Sequence, residues 1–363
     1  MRRLGLNLTL LMIASLVNLS ACASEPLPQW FDPEKAHHAV NEEGEIYFRN
    51  LYLKDKDKDF FDFLSMRFFG DEEWADHQSL AATVATQNVD LAQITHPSKA
   101  PLITWLGHST FLIQYQGKAI LTDPIFSDRA SPYSFAGPKR YTPHVIDYHK
   151  LPPIDMVIIS HNHYDHLDEK AIQVLGETPQ YYVPLGLAPW FVAQGVAAQK
   201  VTELDWYQSR HLDKVTISAL PSQHWSARGL GDRFSTLWAS WHIEFTDKTI
   251  WFGGDTGYNE RLFKEVGEHI GSVDVAIIPI GAYAPRWFMQ DYHVNPEEAV
   301  RIHQSLNASL SIGMHWGTFP LTAEPPAEPP KRLATALEKA QVSHNQFITM
   351  TIGESRVIMD KQE

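Results

Sequence analysis

The chain has 363 residues, with 30 Lys and Arg against 43 Asp and Glu, a formal net charge of −13 and 44% hydrophobic residues. This is a globular composition, long enough for one large domain or two ordinary ones with a sizeable core. The acidic balance, without any Lys/Arg cluster, argues against nucleic acid as a partner and gives no electrostatic pull toward anionic lipid.

Residues 1–3 are Met-Arg-Arg, and Leu4 to Val17 is mostly apolar, broken by Asn7, Thr9 and Ser15. So short a run reads as the apolar part of a secretory signal, because a spanning helix needs about 20 apolar residues. Leu19-Ser20-Ala21-Cys22 follows, and Cys22 is the only cysteine, so no intrachain disulfide can form. The tetrapeptide resembles a bacterial lipobox. That resemblance implies a lipoprotein signal peptide over 1–21, acylation of Cys22 and a membrane partner reached through the lipid anchor. Ala23 after the cysteine then implies the cell envelope's outer membrane, periplasmic side. An ordinary signal peptide cut at a small residue is the plainer alternative. Residues 22–45, with Pro26, Pro28, Pro33 and several acids, read as a tether. Residues 46–100 are expected as an N-terminal helical extension, since Leu51, Phe60, Phe63, Leu64, Phe68 and Trp74 have roughly helical spacing. The alternating Lys54 to Asp59 run reads as a solvated helix start or turn.

From Pro101 the texture changes. Residues 102–106, 110–115 and 119–122 are short apolar or alternating runs divided by Gly107-His108 and Gln116-Gly117, the pattern of a β-meander. Residues 154–160 form a continuous apolar run suited to a strand buried on both faces, and 273–279 form another. Helices are expected over 168–175, 186–194, 258–269, 296–306 and 331–340, and further strands over 201–204, 215–220, 238–245, 249–253 and 310–314. Asn295 and Pro296 provide an N-cap and a first helical residue. The five prolines within 320–330 read as a loop. Strands and helices thus alternate in two similar halves, about 101–225 and 236–363.

The strand at 154–160 ends in His161-Asn-His163-Tyr-Asp165-His166. Alternate residues of an extended segment point the same way, so His161 and His163 can grip one cation. Asp165 and His166 follow as the chain turns and can face a second. Imidazole and carboxylate suit Zn²⁺, and also Fe or Mn. His224, Asp255 and His315 each follow another expected strand, where open α/β sheets place their chemistry. Each alone is more simply a satisfied buried polar residue; the ordered set is not.

This order of motifs is similar to that of the metallo-β-lactamase superfamily, whose fold is an α/β, αββα sandwich; the resemblance implies a hydrolase domain over 101–363. It implies two Zn ions, one on His161, His163 and His224, the other on Asp165, His166 and His315, with Asp255 bridging. Asp123, in Leu-Thr-Asp-Pro, resembles the superfamily aspartate that braces the metal loop without ligating. Diiron flavoproteins of the superfamily place an acid where His163 stands, and binuclear β-lactamases lack the bridging acid that Asp255 supplies. The nearer resemblance is to the N-acylphosphatidylethanolamine-hydrolysing phospholipase D family. It rests on segments such as Trp105-Leu-Gly-His-Ser-Thr, Leu121-Thr-Asp-Pro-Ile-Phe-Ser, Ile159-Ser-His-Asn-His-Tyr-Asp-His-Leu-Asp and Pro285-Arg-Trp-Phe-Met. It implies a phosphodiesterase working through a metal-bridging hydroxide on a phospholipid substrate, with Asp165, Asp255 and His293 as catalytic candidates. His293 matches a family histidine implicated in activity; it would hydrogen-bond the phosphoryl group or protonate the leaving oxygen, against a purely structural role at a helix start. Lys139 and Arg140 are candidates for phosphate contact or a solvated turn, and Arg286 to Met289 for an acyl-chain wall or core. Two other readings remain at this level: a binuclear lactonase acting on sugar-phosphate lactones, and a non-catalytic lipoprotein binding module.

Overall fold

A computed structural model describes residues 27–53, 58, 60–70 and 72–359. Cys22, the signal segment and nearly all of the Lys54–Asp59 run lie outside the described residues. Among the described residues there are sixteen strands: β1 His38–Val40, β2 Ile46–Phe48, β3 Leu102–Gly107, β4 Thr110–Tyr115, β5 Lys118–Thr122, β6 Met156–Ile158, β7 Gln180–Pro184, β8 Val201–Leu204, β9 Ser209–His211, β10 Val215–Leu220, β11 Ser240–Phe245, β12 Thr249–Phe252, β13 Val275–Pro279, β14 Leu310–Met314, β15 Phe347–Thr349 and β16 Ser355–Val357. Apart from the β1–β2 hairpin they form two seven-stranded sheets, ordered β16-β3-β4-β5-β6-β7-β8 and β15-β14-β13-β12-β11-β10-β9. Both are mixed, with parallel pairing from β5 to β8 and from β12 to β15.

The sheets pack face to face, and side-chain alternation shows it. On β12, Ile250 and Phe252 enter the large core shared by both sheets, while Trp251 between them enters a second core; on β13, Val275 and Ile277 take the first and Ala276 and Ile278 the second. The second core is closed by helices α5 (Glu260–Ile270), α7 (Pro296–Ser305) and α8 (Glu328–Ala340), through Phe263, Val266, Val300, Ile302, Leu333 and Leu337. On the other sheet, α3 (Glu169–Leu175) and α4 (Ala188–Ala193) contribute Ile172 and Phe191 to the large core. Strands buried on both faces read as unbroken apolar runs because both faces are covered. The architecture is the αββα sandwich that the sequence implied.

Five expectations are corrected. The two halves divide between β8 and β9, not near residue 230, and β16 returns to pair with β3 in the first sheet. Strand β7 was not expected, yet β6 and β8 need it between them. The five-proline segment ends in α8, whose first turn carries Pro329 and Pro330, since a first-turn proline gives up an N–H that has no helical partner anyway. The helical extension over 46–100 is largely loop, with α1 (Phe60–Leu64) running into one wider turn and α2 (Leu91–Thr95) capped by Asp90. The tether does not run to residue 45 either: β1 and β2 form a hairpin, with His37 and His38 buried against the main body. Among the described residues no helix is long and apolar enough to cross a membrane.

Candidate metal centre

Each site residue sits on a strand end or on the loop leaving it, so the two sheets meet there. The first sheet brings His108 from the β3–β4 turn, Asp123 after β5, and His161, His163, Asp165 and His166 after β6. The second brings His224 after β10, Asp255 after β12 and His315 after β14, with His293 between the short α6 (Arg286–Met289) and α7. The β6 loop is pinned from across the sandwich: Trp241 Nε1 donates to the Ile159 carbonyl at 3.0 Å, and Arg228 Nη1 donates to the carbonyls of Asn162 and Leu167 at 2.8 Å each. The left-handed backbone of His108, Asp123 and His315 (φ 53°, 33° and 63°) marks strain held at the site. Gly254, at φ +55°, must be glycine, because a Cβ there would lie 2.5 Å from that of Ser160.

Two groups of donors converge. In one, Nδ1 of His163 lies 2.8 Å from Nε2 of His161 and 3.3 Å from Nε2 of His224. In the other, Nε2 of His315 lies 3.2 Å from Nε2 of His166 and 3.3 Å from Asp165 Oδ2. Asp255 stands between the groups, with Oδ2 at 3.2 Å from His166 Nε2, 3.8 Å from His224 Nε2 and 4.0 Å from His161 Nε2, and Oδ1 at 3.1 Å from His315 Nε2. All are buried except His163 and Asp165, which are half-buried. His293 faces the same space, its Nδ1 3.8 Å from Asp255 Oδ2 and unpartnered.

Tautomers decide what this space holds. His166 donates from Nδ1 to Asp123 at 2.7 Å, and His224 donates from Nδ1 to the Tyr292 carbonyl at 2.9 Å. Ser160 Oγ gives its proton to Asp123 at 2.5 Å, so it accepts from Nδ1 of His161 at 2.9 Å. All three rings therefore turn a bare Nε2 lone pair inward, toward other lone pairs and carboxylates. Bare donors at such separations fit a cation, and the outer hydrogen bonds are those that orient metal-binding imidazoles. The charges agree. Burial pushes His163 and His224 down to about 3 and His161 well below the ordinary histidine value. Burial acts the same way on His166 and His315, but the carboxylates of Asp255 and Asp165 outweigh it, raising His315 to about 9 and His166 well above the usual value.

All seven expected ligands, with Asp123 and His293, are thus brought together. One residue was passed over: His108, whose Nε2 bonds Asp165 Oδ2 at 2.8 Å and whose ring packs 4.0 Å from that of His315. Its signal in the sequence is a histidine after a glycine at a tight turn between two strands. Arg140 is buried, with Nη2 donating to the Ile125 carbonyl at 3.0 Å and the guanidinium over Phe319, while its Nε and Nη1 have no hydrogen-bond partner. Arg286 bonds the His293 carbonyl at 2.8 Å and pairs with Glu298, holding the His293 loop to α7. A narrow pocket of about 20 Å³ opens beside His108 and His315, lined by Tyr141, Trp316, Phe319, Leu321 and Glu324 among others, with no Lys or Arg.

A separate buried group, His37, His38 and Asp205, is of another kind. Nδ1 of His38 accepts from the Asp32 N–H at 3.0 Å, so its Nε2 carries a proton, 3.2 Å from Asp205. His37 Nε2 lies 2.6 Å from the same carboxylate, and the Lys35 ammonium bonds it too. These groups surround the carboxylate and make a clasp that ties the N-terminal hairpin to the main body.

The chain belongs to the β-lactamase superfamily: the Beta-lactamase superfamily domain matches residues 118–316. It is a metal-dependent hydrolase of the metallo-β-lactamase fold. It is similar to N-acyl-phosphatidylethanolamine-hydrolyzing phospholipase D 1 of Caenorhabditis elegans, with 41% identity over 292 residues, 77% of this chain and 82% of that protein. The mitochondrial N-acyl-phosphatidylethanolamine-hydrolyzing phospholipase D of Saccharomyces cerevisiae is 37% identical over 250 residues, 66% of this chain and 53% of that protein. Among solved structures, the metallo hydrolase Igni18 of Ignicoccus hospitalis has the same fold, at TM-score 0.55 and 21% identity over 72% of this chain and the whole of that one.

Proposed function

We propose that the chain is a zinc-dependent phosphodiesterase of phospholipase D type, acting on N-acylphosphatidylethanolamine-like lipids. The observation that carries it is the pair of facing donor groups that share Asp255, in a chain similar over most of its length to an enzyme named for that reaction. One ion would rest on His161, His163 and His224, the other on Asp165, His166 and His315, with Asp255 between them. Two bound zinc ions supply an acidified water and Lewis acidity for a phosphoryl group.

The protein's own residues do the rest. Asp123, Ser160 and Tyr292 fix the imidazole tautomers and so aim the lone pairs. His293, with an unpartnered Nδ1 facing the space, donates a hydrogen bond to a phosphoryl oxygen. Trp225, edge-on to His163 at 4.3 Å, gives one flank an apolar wall, and Trp316, Phe319 and Leu321 give the other. Acyl chains would lie against these apolar faces and not inside the pocket, whose volume of about 20 Å³ has room for no more than a water. A sugar-phosphate lactone would need basic residues lining that pocket, and no Lys or Arg lines it, while a non-catalytic module would not need the whole donor set. The lipid anchor at Cys22, and a place at the periplasmic side of the outer membrane, would set the enzyme beside such a substrate.

The test incubates the purified zinc-loaded protein with N-acylphosphatidylethanolamine in mixed micelles and reads products by mass spectrometry, with His161→Ala as blank. The expected products are phosphatidic acid and N-acylethanolamine, absent from the blank. No lipid product from protein that holds two metal ions would overturn the substrate and turn attention to lactones and other phosphodiesters.

A further inference from the structure

The clasp on Asp205 fastens one end of an N-terminal strap, and the other end of that strap reaches the metal centre. Between them the strap is tied down throughout. Trp30 stacks on Phe48 at 5.5 Å, and His37 stacks on Trp206 at 4.3 Å. The Phe48 N–H donates to the Phe234 carbonyl at 2.8 Å, and the Arg49 N–H to the His37 carbonyl at 3.0 Å. The next residue is Asn50, buried at 6% exposure. Its Nδ2 donates to the His224 carbonyl at 2.9 Å, and its Oδ1 accepts the His224 N–H at 3.0 Å.

We propose that Asn50 is a positioning residue of the metal centre, bracketing the backbone of His224 so that its Nε2 is held toward the ion. The proposal rests on the reading of His224 as a ligand. One amide side chain takes both polar groups of the His224 backbone, and the Tyr292 carbonyl takes Nδ1. Those three hydrogen bonds fix the residue's place, its ring plane and its tautomer, leaving Nε2 alone for the metal. Asn50 lies outside the matched domain of residues 118–316, so the strap supplies from a distance what the hydrolase domain does not. A carboxamide suits the task because it both donates and accepts; a carboxylate keeps only the acceptor, and alanine keeps neither. Groups that orient metal ligands in this way change metal affinity about 10–100-fold when removed.

The experiment follows zinc release from the full chain to an excess of a chromogenic chelator, beside total zinc by mass spectrometry and far-ultraviolet circular dichroism. The variants are Asn50→Ala, Asn50→Asp and, as reference, His224→Ala. The expected result is one ion leaving Asn50→Ala about 10–100-fold faster than the unaltered chain, with the other ion's release and the dichroism unchanged. Asn50→Asp is expected to fall between. Unaltered release of both ions from Asn50→Ala, even with a lowered melting temperature, would overturn the proposal; should that variant not fold, unaltered release from Asn50→Asp would do so. If His224→Ala still holds two ions, the ligand reading fails first and Asn50's role falls with it.

Discussion

Asp123 accepts the Nδ1 proton of His166 at 2.7 Å, and both side chains are wholly buried. The same carboxylate accepts the Ser160 N–H at 2.7 Å and its hydroxyl at 2.5 Å, and Ser160 in turn accepts from His161. One acid therefore sets the tautomers of imidazoles in both donor groups. Replacing it with alanine removes the acceptor and frees both rings to turn. Asp123→Ala is expected to lose zinc affinity by about 10–100-fold at both positions. Metal retained after dialysis against a graded chelator series checks this.

His293 touches the space between the donor groups without belonging to either inner set. His293→Gln is expected to keep its metal content while kcat falls about 10²–10⁴-fold, the usual weight of a proton-handling or hydrogen-bonding side chain. Steady-state kinetics beside metal analysis separates that outcome from a structural role, in which metal or folding would fail together with the rate.

Gly254 precedes Asp255 with φ +55° and its hydrogen pressed toward Ser160. Gly254→Ala must strain the backbone and push Ser160 off Asp123. A cost of at least about 1–3 kcal/mol is expected, with weakened metal binding. Chemical denaturation of the zinc-loaded and zinc-free forms measures both effects.

Burial would raise the carboxyl of Asp205, but its hydrogen bonds to His37 and Lys35 outweigh that and hold it at about 2, against an ordinary 3.8. A carboxyl depressed in the folded state adds stability that is present above about pH 4 and is lost as pH falls toward 2. The difference in stability between the unaltered chain and Asp205→Asn is therefore expected to be flat above pH 4 and to shrink below it. Denaturant midpoints of the zinc-free proteins between pH 2 and 6 check this. A difference that grew on acidification would contradict it.

The sequence made the site more legible than its surroundings, for a physical reason. Metal ligands are chemically rare and stand at strand ends, so His161, His163, Asp165 and His166 were visible as a spacing and His224, Asp255 and His315 as an order. The N-cap at Asn295 was equally local, and α7 begins where Asn295 and Pro296 imply. What escaped depended on long-range pairing. Strands β7 and β16 are fixed by neighbours distant in sequence, and the hairpin of β1 and β2 is held by the clasp on Asp205, 168 residues on from His37. The roles of His108 and Asn50 lie wholly in their partners, Asp165 and the His224 backbone, and no spacing announces those contacts.

The central claim is that the two facing donor groups each hold an ion and share Asp255. Counting metal equivalents per chain, by inductively coupled plasma mass spectrometry, tests it most directly, with His163→Ala and His315→Ala beside the unaltered protein. The account predicts two equivalents for the unaltered chain and a lowered content in each variant, with lipid hydrolysis lost in both. A single equivalent in the unaltered chain, or two equivalents surviving in either variant, would contradict it.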